Sequence, residues 1–131
     1  TVVDDTYNAN PDSVRAAIDV LAELPAPRML VLGDMGEVGS QGPSFHAEVG
    51  QHARARQLDA LLALGELSRH AVQAYGPGRH FENMDHLQSA VLAQLPQMGS
   101  VLVKGSRFMK MERVIDALQA NAMSKEDTPC C

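Results

Sequence analysis

The sequence predicts an α/β fold in three layers, with a mostly parallel sheet and helices on both of its faces. Segments with strand and helix patterns alternate five times along the 131 residues, which is typical of parallel sheets built from right-handed crossovers. The clearest strands, at 28–34 and 100–105, are short continuous apolar runs. Such runs indicate strands that are buried on both faces.

Each element follows from a local pattern. The chain opens on a strand at 1–5, and apolar residues at helical spacing from Val14 to Leu24 predict a helix that Asn10 or Asp12 caps. Pro25 and Pro27 end that helix. The further elements are a strand at 28–34, a glycine-rich loop at 35–43, a helix at 44–56, a strand at 58–65, a helix at 66–75, a short strand at 79–82, a helix at 84–95, a strand at 100–105 and a closing helix marked by Met111, Val114, Ile115 and Leu118.

Composition indicates one folded domain, at 1–122, followed by a polar and disordered tail at 123–131. The chain is 45% hydrophobic and its net charge of −5 argues against a nucleic-acid binder, because phosphate binding needs clustered cations. No apolar run is long enough to span a membrane. Cys130 and Cys131 predict a frayed end in a reducing compartment, and a chain that begins at Thr1 inside a strand predicts a piece of a longer protein.

Ligands of open parallel sheets bind beyond the carboxyl ends of the strands. This rule selects the loops 4–12, 33–43, 65–66 and 104–110. Each of these loops except 65–66 carries a group of several polar side chains.

The loop after the last strand suits an anion. A strand that turns through Gly105 and Ser106 into a helix presents backbone N–H groups, and Lys104 and Arg107 add two cations. This pattern predicts a site for a carboxylate or a phosphate. The alternative is that Ser106 only caps the helix while both cations are solvated. The loop is not a P-loop, because Lys104 precedes its glycine.

The loop after the first strand allows two interpretations. Asp4 and Asp5 suit Mg²⁺ or a ribose diol, Tyr7 offers a stacking face, and Asn8 and Asn10 offer amide edges. The alternative is an Asx turn followed by a helix cap.

Two further groups carry weaker signals. Asp34 and Glu37 lie in the glycine-rich loop, whose composition is also explained by turn geometry. The five histidines predict no metal site, since His46 and His52 are not on one face of their helix and the others lie in separate elements. We expect these histidines to be at the surface or half-buried.

Several motifs resemble a known family. "DDTYNANPDSVRAAIDVL", "VLGDMGEVG", "FHAEVG", "VLVKGSR" and "MERVIDAL" resemble, in order and from Val2 to about Leu118, the C-terminal domain of the Mur ligases of bacterial peptidoglycan synthesis. The first and fourth motifs resemble most closely the branch that adds D-Ala-D-Ala to UDP-MurNAc-tripeptide.

The resemblance implies a Rossmann-like domain of a cytoplasmic, three-domain, ATP-dependent ligase. In that family ATP phosphorylates the peptide carboxylate, and the amine of the incoming dipeptide attacks the acyl phosphate. A central domain holds most of the ATP and Mg²⁺ contacts, and its P-loop is absent from this sequence. The resemblance therefore implies a C-terminal domain without catalytic residues of its own, which is folded but inactive when isolated.

Residue roles follow from the same resemblance. Asp5 matches an aspartate that contacts the ATP ribose, and Tyr7, Asn8 and Asn10 lie around the adenosine, with Asn8 in the place of a family histidine. By the same resemblance, the residues that face the incoming substrate are Lys104, Ser106, Arg107, Asp34 and Glu37. The D-Ala-D-Ala carboxylate is the natural anion for this substrate side.

Other interpretations stay open. One is the C-terminal domain of another Mur ligase or of a folylpolyglutamate-type ligase. Another is a receiver domain, which also has acids after its first strand and a lysine after its last. That fold needs an aspartate at the end of its third strand, where this chain has Gly65. A third is a freestanding nucleotide-binding module.

Overall fold

The computed structural model describes residues 2–5, 11–36, 39–106 and 109–127, and it confirms the α/β fold. Five parallel strands form one sheet in the order β1-β5-β2-β3-β4. The elements are β1 (Val2–Asp5), α1 (Pro11–Leu21), β2 (Arg28–Gly33), α2 (Gly42–Ala55), β3 (Ala60–Leu64), α3 (Ser68–Tyr75), β4 (Arg79–Phe81), α4 (Met84–Gln94), β5 (Ser100–Lys104) and α5 (Glu112–Asp127).

The helices cover both faces of the sheet. Buried residues of α1, α2 and α3 share one apolar cluster with Leu30 and Leu32 of β2. Buried residues of α4 and α5 share a second cluster with Met29 and Val31 on the opposite face. The chain crosses the sheet in one direction from β1 to β4 and then returns to β5, so right-handed crossovers place α4 opposite the first three helices.

The strands at the centre of the sheet explain the continuous apolar runs. In β5, Leu102 belongs to the first cluster, whereas Val101 and Val103 belong to the second. Every residue of β5 is buried. A strand that is covered on both faces needs apolar side chains at successive positions, as the sequence predicts.

The structure fixes both ends of the closing helix. Helix α5 begins at Glu112, close to the predicted end of the loop at 110, so the strand does not turn directly through Ser106 into the helix and Ser106 is not a helix cap. Helix α5 continues to Asp127, so the segment predicted as a tail from 123 is helical as far as that residue. The boundary proposed at 122 thus falls inside α5, and the division into domain and tail stays a prediction.

The topology places two loops at a switch point. Strands β2 and β5 are neighbours, and the loop after β2 leads to α2 on one face while the loop after β5 leads to α5 on the other. Ligands of doubly wound sheets bind where adjacent loops diverge in this way. No helix in the described part of the chain is long and apolar enough to cross a membrane.

Candidate functional site

The loops after β2 and β5 are joined by hydrogen bonds. We call residues 34–36 and 105–106 the edge loops. The N–H of Ser106 donates to the carbonyl oxygen of Asp34 at 3.1 Å, and the N–H of Gly36 donates to the Ser106 hydroxyl oxygen. The two loops therefore form one unit at the carboxyl end of the sheet, and the Ser106 side chain is one of the links.

Two glycines allow the side chain of Met111 to lie close to the ends of β2 and β5. A Cβ on Gly105 would lie 2.6 Å from Cγ of Met111, and a Cβ on Gly33 would lie 2.8 Å from Sδ of Met111. Met111 is fully buried. Its side chain thus packs directly against both strand ends.

Lys104 is the last residue of β5 and is only 1% exposed. It is paired in register with Asp5 of β1 on one side and Leu32 of β2 on the other. Because strand side chains alternate, Lys104 is on the same face as Leu102, the face of α1, α2 and α3. Lys104 has an electrostatic or hydrogen-bonding partner within the protein, and its burial excludes the alternative in which it is a solvated cation.

The carboxylate of Asp34 caps helix α3. Its two oxygens accept hydrogen bonds from the N–H groups of Ser68 at 2.8 Å and Leu67 at 3.2 Å. A carboxylate at this position satisfies free N–H groups and favours the positive end of the helix dipole. Asp34 therefore connects the edge loops to α3, a role that the sequence did not predict. Its predicted contact with substrate stays a prediction.

His46 connects the edge loops to α2. It is fully buried, its Nε2 accepts the N–H of Met35 at 3.0 Å, and its Nδ1 donates to the carbonyl oxygen of Gly42 at 2.7 Å. Since the amide of Met35 can only donate, the ring is the neutral Nδ1–H tautomer. Burial lowers the pKa of His46, with a contribution from His70, against the opposing effects of Gly42 and Asp34.

The prediction for the histidines is therefore wrong at this position. His46 is fully buried, while His52, His70 and His80 are partly exposed and His86 is exposed. The helical spacing contained a signal, because His46 is three residues before Val49 and seven before Ala53, on the apolar stripe of α2.

This burial predicts a pH dependence of stability. The folded-state pKa of His46 is below its ordinary value of 6.5, so the unfolded chain binds more protons as the pH falls below about 6.5. The contribution of His46 to the free energy of unfolding is complete above that pH and is lost as the pH falls toward the lowered pKa. Urea unfolding between pH 7.5 and 5.5 should show a steeper decline for the wild type than for His46→Gln. Parallel curves would contradict this assignment.

The other predicted residues are only partly placed. Asp5 is the residue of β1 in register with Lys104, so their main chains are neighbours at the site. The structure thus brings together Lys104, Ser106 and the backbone positions of Asp5 and Asp34. The predicted site residues outside the described part of the chain are Tyr7, Asn8, Asn10, Glu37 and Arg107.

The described residues offer no group of three or more His, Cys, Asp or Glu side chains that could hold a metal ion. A pocket lies beside the ends of β3 and β4, lined by Gly65, Glu66, Arg69, His80 and Glu82. Arg69 and Glu82 form an ion pair at 3.3 Å, and His80 Nε2 is 2.7 Å from the carbonyl oxygen of Gly65. Four of the five lining residues thus bond to one another, and the switch point remains the candidate site.

Comparisons with known proteins point to one family. The family model described as "Mur ligase, glutamate ligase domain" matches residues 1–107. The UDP-N-acetylmuramoyl-tripeptide--D-alanyl-D-alanine ligase of Escherichia coli (strain K12) is 43% identical over 122 residues, which cover 92% of this chain and 27% of that protein. The chain thus spans about a quarter of that relative's length.

Solved structures agree. MurF from Acinetobacter baumannii superposes with a TM-score of 0.83 at 31% identity, covering 91% of this chain and 27% of that one. The MurF ligase from Thermotoga maritima, solved in complex with ADP, superposes with a TM-score of 0.80 over 95% of this chain and 29% of that one. At 23% identity this second match establishes the fold alone. The chain belongs to the Mur ligase family and has the Rossmann-like fold of its C-terminal domain.

Proposed function

We propose that this chain is the C-terminal domain of a cytoplasmic bacterial ligase that joins D-Ala-D-Ala to UDP-MurNAc-tripeptide with hydrolysis of ATP. The observation that carries the proposal is the 43% identity to a protein named for that reaction, over 92% of this chain. The buried cation and the hydroxyl at the switch point support it, because the incoming dipeptide carries a carboxylate that the reaction leaves intact.

The residues that we assign to the dipeptide are Lys104, Ser106 and Arg107. Lys104 and Ser106 are 1% and 8% exposed, and Ser106 is bonded to Asp34 and Gly36 of the loop after β2. A cation in a site with little water interacts strongly with a carboxylate, and a fixed serine gives the interaction a direction. Binding the carboxylate here leaves the amine at the other end of the dipeptide available for reaction.

The residues that we assign to ATP are Asp5, Tyr7, Asn8 and Asn10, on the resemblance of the loop after β1. Asp5 is next to Lys104 in register, so nucleotide and dipeptide would occupy adjacent positions along the carboxyl edge. In the proposed reaction ATP phosphorylates the tripeptide carboxylate. The dipeptide amine then attacks the acyl phosphate, an amide forms, and ADP and phosphate are released.

The proposed role of this chain is to bind and orient ATP and the dipeptide. We assign Mg²⁺ and most of the triphosphate contacts to the rest of the enzyme, as the resemblance implies, and we derive no step through a metal held by the described residues. Asp34 and Glu37 belong to the substrate side by resemblance. The contacts of Asp34 add that it fixes the loop after β2 to α3.

A product assay tests the proposal. The full-length ligase that contains this chain, with ATP and UDP-MurNAc-tripeptide, should form an amide product with D-Ala-D-Ala and little or none with L-glutamate. The product is identified by mass spectrometry. Absence of a D-Ala-D-Ala product, or a preference for L-glutamate, would overturn the proposal. The matched control is the same mixture without ATP, which should form no product.

A further inference from the structure

We infer that His46 is a positioning residue for the dipeptide site, because it holds the main chain of the edge loops where Gly36 can bond Ser106. The expected effect on kinetics rests on the proposed function. The expected effect on the structure of the loop does not depend on that function and can be measured in this chain alone.

Three consecutive residues of the loop after β2 are each held by a different element. The carboxylate of Asp34 bonds α3, the N–H of Met35 bonds His46 of α2, and the N–H of Gly36 bonds Ser106 after β5. The contact of His46 is the middle one. Movement of the Met35 amide would therefore also displace the next amide along the chain, which is the one that holds the Ser106 hydroxyl.

Histidine suits this position because one of its ring nitrogens donates a hydrogen bond while the other accepts one. Nδ1–H donates to the carbonyl oxygen of Gly42, four residues earlier in the same helix. That bond fixes the tautomer and leaves the lone pair of Nε2 toward the N–H of Met35. Met35 and His46 are both fully buried, so without this acceptor the amide would be a buried donor with no partner.

Two substitutions separate the contacts of His46. His46→Gln places an amide oxygen near the position of Nε2 and can still accept the N–H of Met35. His46→Asn is too short for that contact but can still donate to Gly42. Neither variant titrates. Val49→Ala, one turn along the same buried face of α2, is the control for lost packing alone.

The structural readout is amide hydrogen exchange in this chain, measured by NMR. In His46→Asn we expect the exchange rates of the Met35 and Gly36 amides to rise. The factor of this rise should be at least about ten times the factor for the amides of β3, because these loop bonds open without global unfolding. In His46→Gln and Val49→Ala the loop and strand amides should change together. Equal behaviour of the Asn and Gln variants would overturn the inference, whatever the enzyme does.

The kinetic readout uses the full-length ligase that contains this chain. We expect His46→Asn to lower kcat/KM for D-Ala-D-Ala by about tenfold or more, and His46→Gln to recover most of that loss, because small displacements of a binding group have large effects on rate. Kinetic losses that follow the melting temperature across the Asn, Gln and Val49→Ala variants would indicate a purely structural role and overturn the inference.

A double-variant cycle tests the route through Ser106. If His46 acts by holding the loop that bonds Ser106, His46→Asn should have much less effect on kcat/KM in a Ser106→Ala background than in the wild type. Full additivity would overturn this route. Failure of the wild type to use D-Ala-D-Ala would refute the proposed function instead, and the exchange result would still decide the structural part.

Discussion

Replacement of Gly65 by alanine is expected to lower the free energy of unfolding by about 2–5 kcal/mol, the sum of backbone strain and loss of a helix cap. Gly65 has a φ of 111°, which side-chain-bearing residues rarely adopt, and its added Cβ would lie 2.4 Å from the carboxyl group of Asp34. That carboxyl group caps α3. The substitution therefore forces either the strand end or the cap to move, and denaturant unfolding of the chain measures the loss.

Gly39 offers a matched control. Its φ is also positive, at 61°, but, apart from its two chain neighbours, no atom of the described residues lies within 4 Å of the position of its Cβ. Gly39→Ala should therefore lose only about 1–2 kcal/mol, the usual cost of a left-handed conformation. The Gly65 effect should also be smaller in an Asp34→Ala background, where the clash is removed. Equal losses at Gly65 and Gly39, with no dependence on Asp34, would mean that the contact with the carboxylate is not important.

Replacement of Lys104 by methionine is expected to lower kcat/KM for D-Ala-D-Ala by about tenfold to a hundredfold in the full-length ligase, the equivalent of one charged hydrogen bond. Methionine keeps most of the apolar stem, so the buried volume at the end of β5 changes little, while the ammonium group is lost. The loss should appear mainly in KM for the dipeptide if the cation binds its carboxylate before and during the reaction alike.

Arg79→Met is the control for that variant. Arg79 is also a cation in a strand, but it is exposed at the start of β4 and lies over the ring of Phe81 at 5.1 Å from the centroid. We expect its kinetics to match the wild type. Unchanged dipeptide kinetics in Lys104→Met, in an enzyme that is still folded by circular dichroism, would remove Lys104 from the substrate site.

Much of the fold could be predicted because its signals are local. Strands such as β2 and β5 are apolar at successive positions, since helices cover both of their faces, and the helices have apolar stripes at helical spacing. The insertion of β5 between β1 and β2 could not be predicted, because strand order depends on pairing between distant segments. The direct turn from Ser106 into a helix was wrong for a similar reason. Met111 packs over Gly33 and Gly105, and that contact between loops has no local signal.

The candidate site shows the same division. The rule for parallel sheets located Lys104 and Ser106 correctly at the carboxyl edge, next to the loop of Asp34. The cap that Asp34 provides to α3 joins residues more than thirty positions apart, and no sequence pattern announces such a partner. His46 had a signal in its position on the apolar stripe of α2, but only its contacts show why a polar ring occupies that stripe.

The most direct test of the account is phosphate release from ATP by the full-length ligase that contains this chain. The assay contains UDP-MurNAc-tripeptide, with and without D-Ala-D-Ala, and compares the wild type with Asp5→Ala. We predict that phosphate release requires the dipeptide and that Asp5→Ala raises KM for ATP. Phosphate release that is indifferent to D-Ala-D-Ala would contradict the central claim that this domain belongs to the D-Ala-D-Ala-adding ligase.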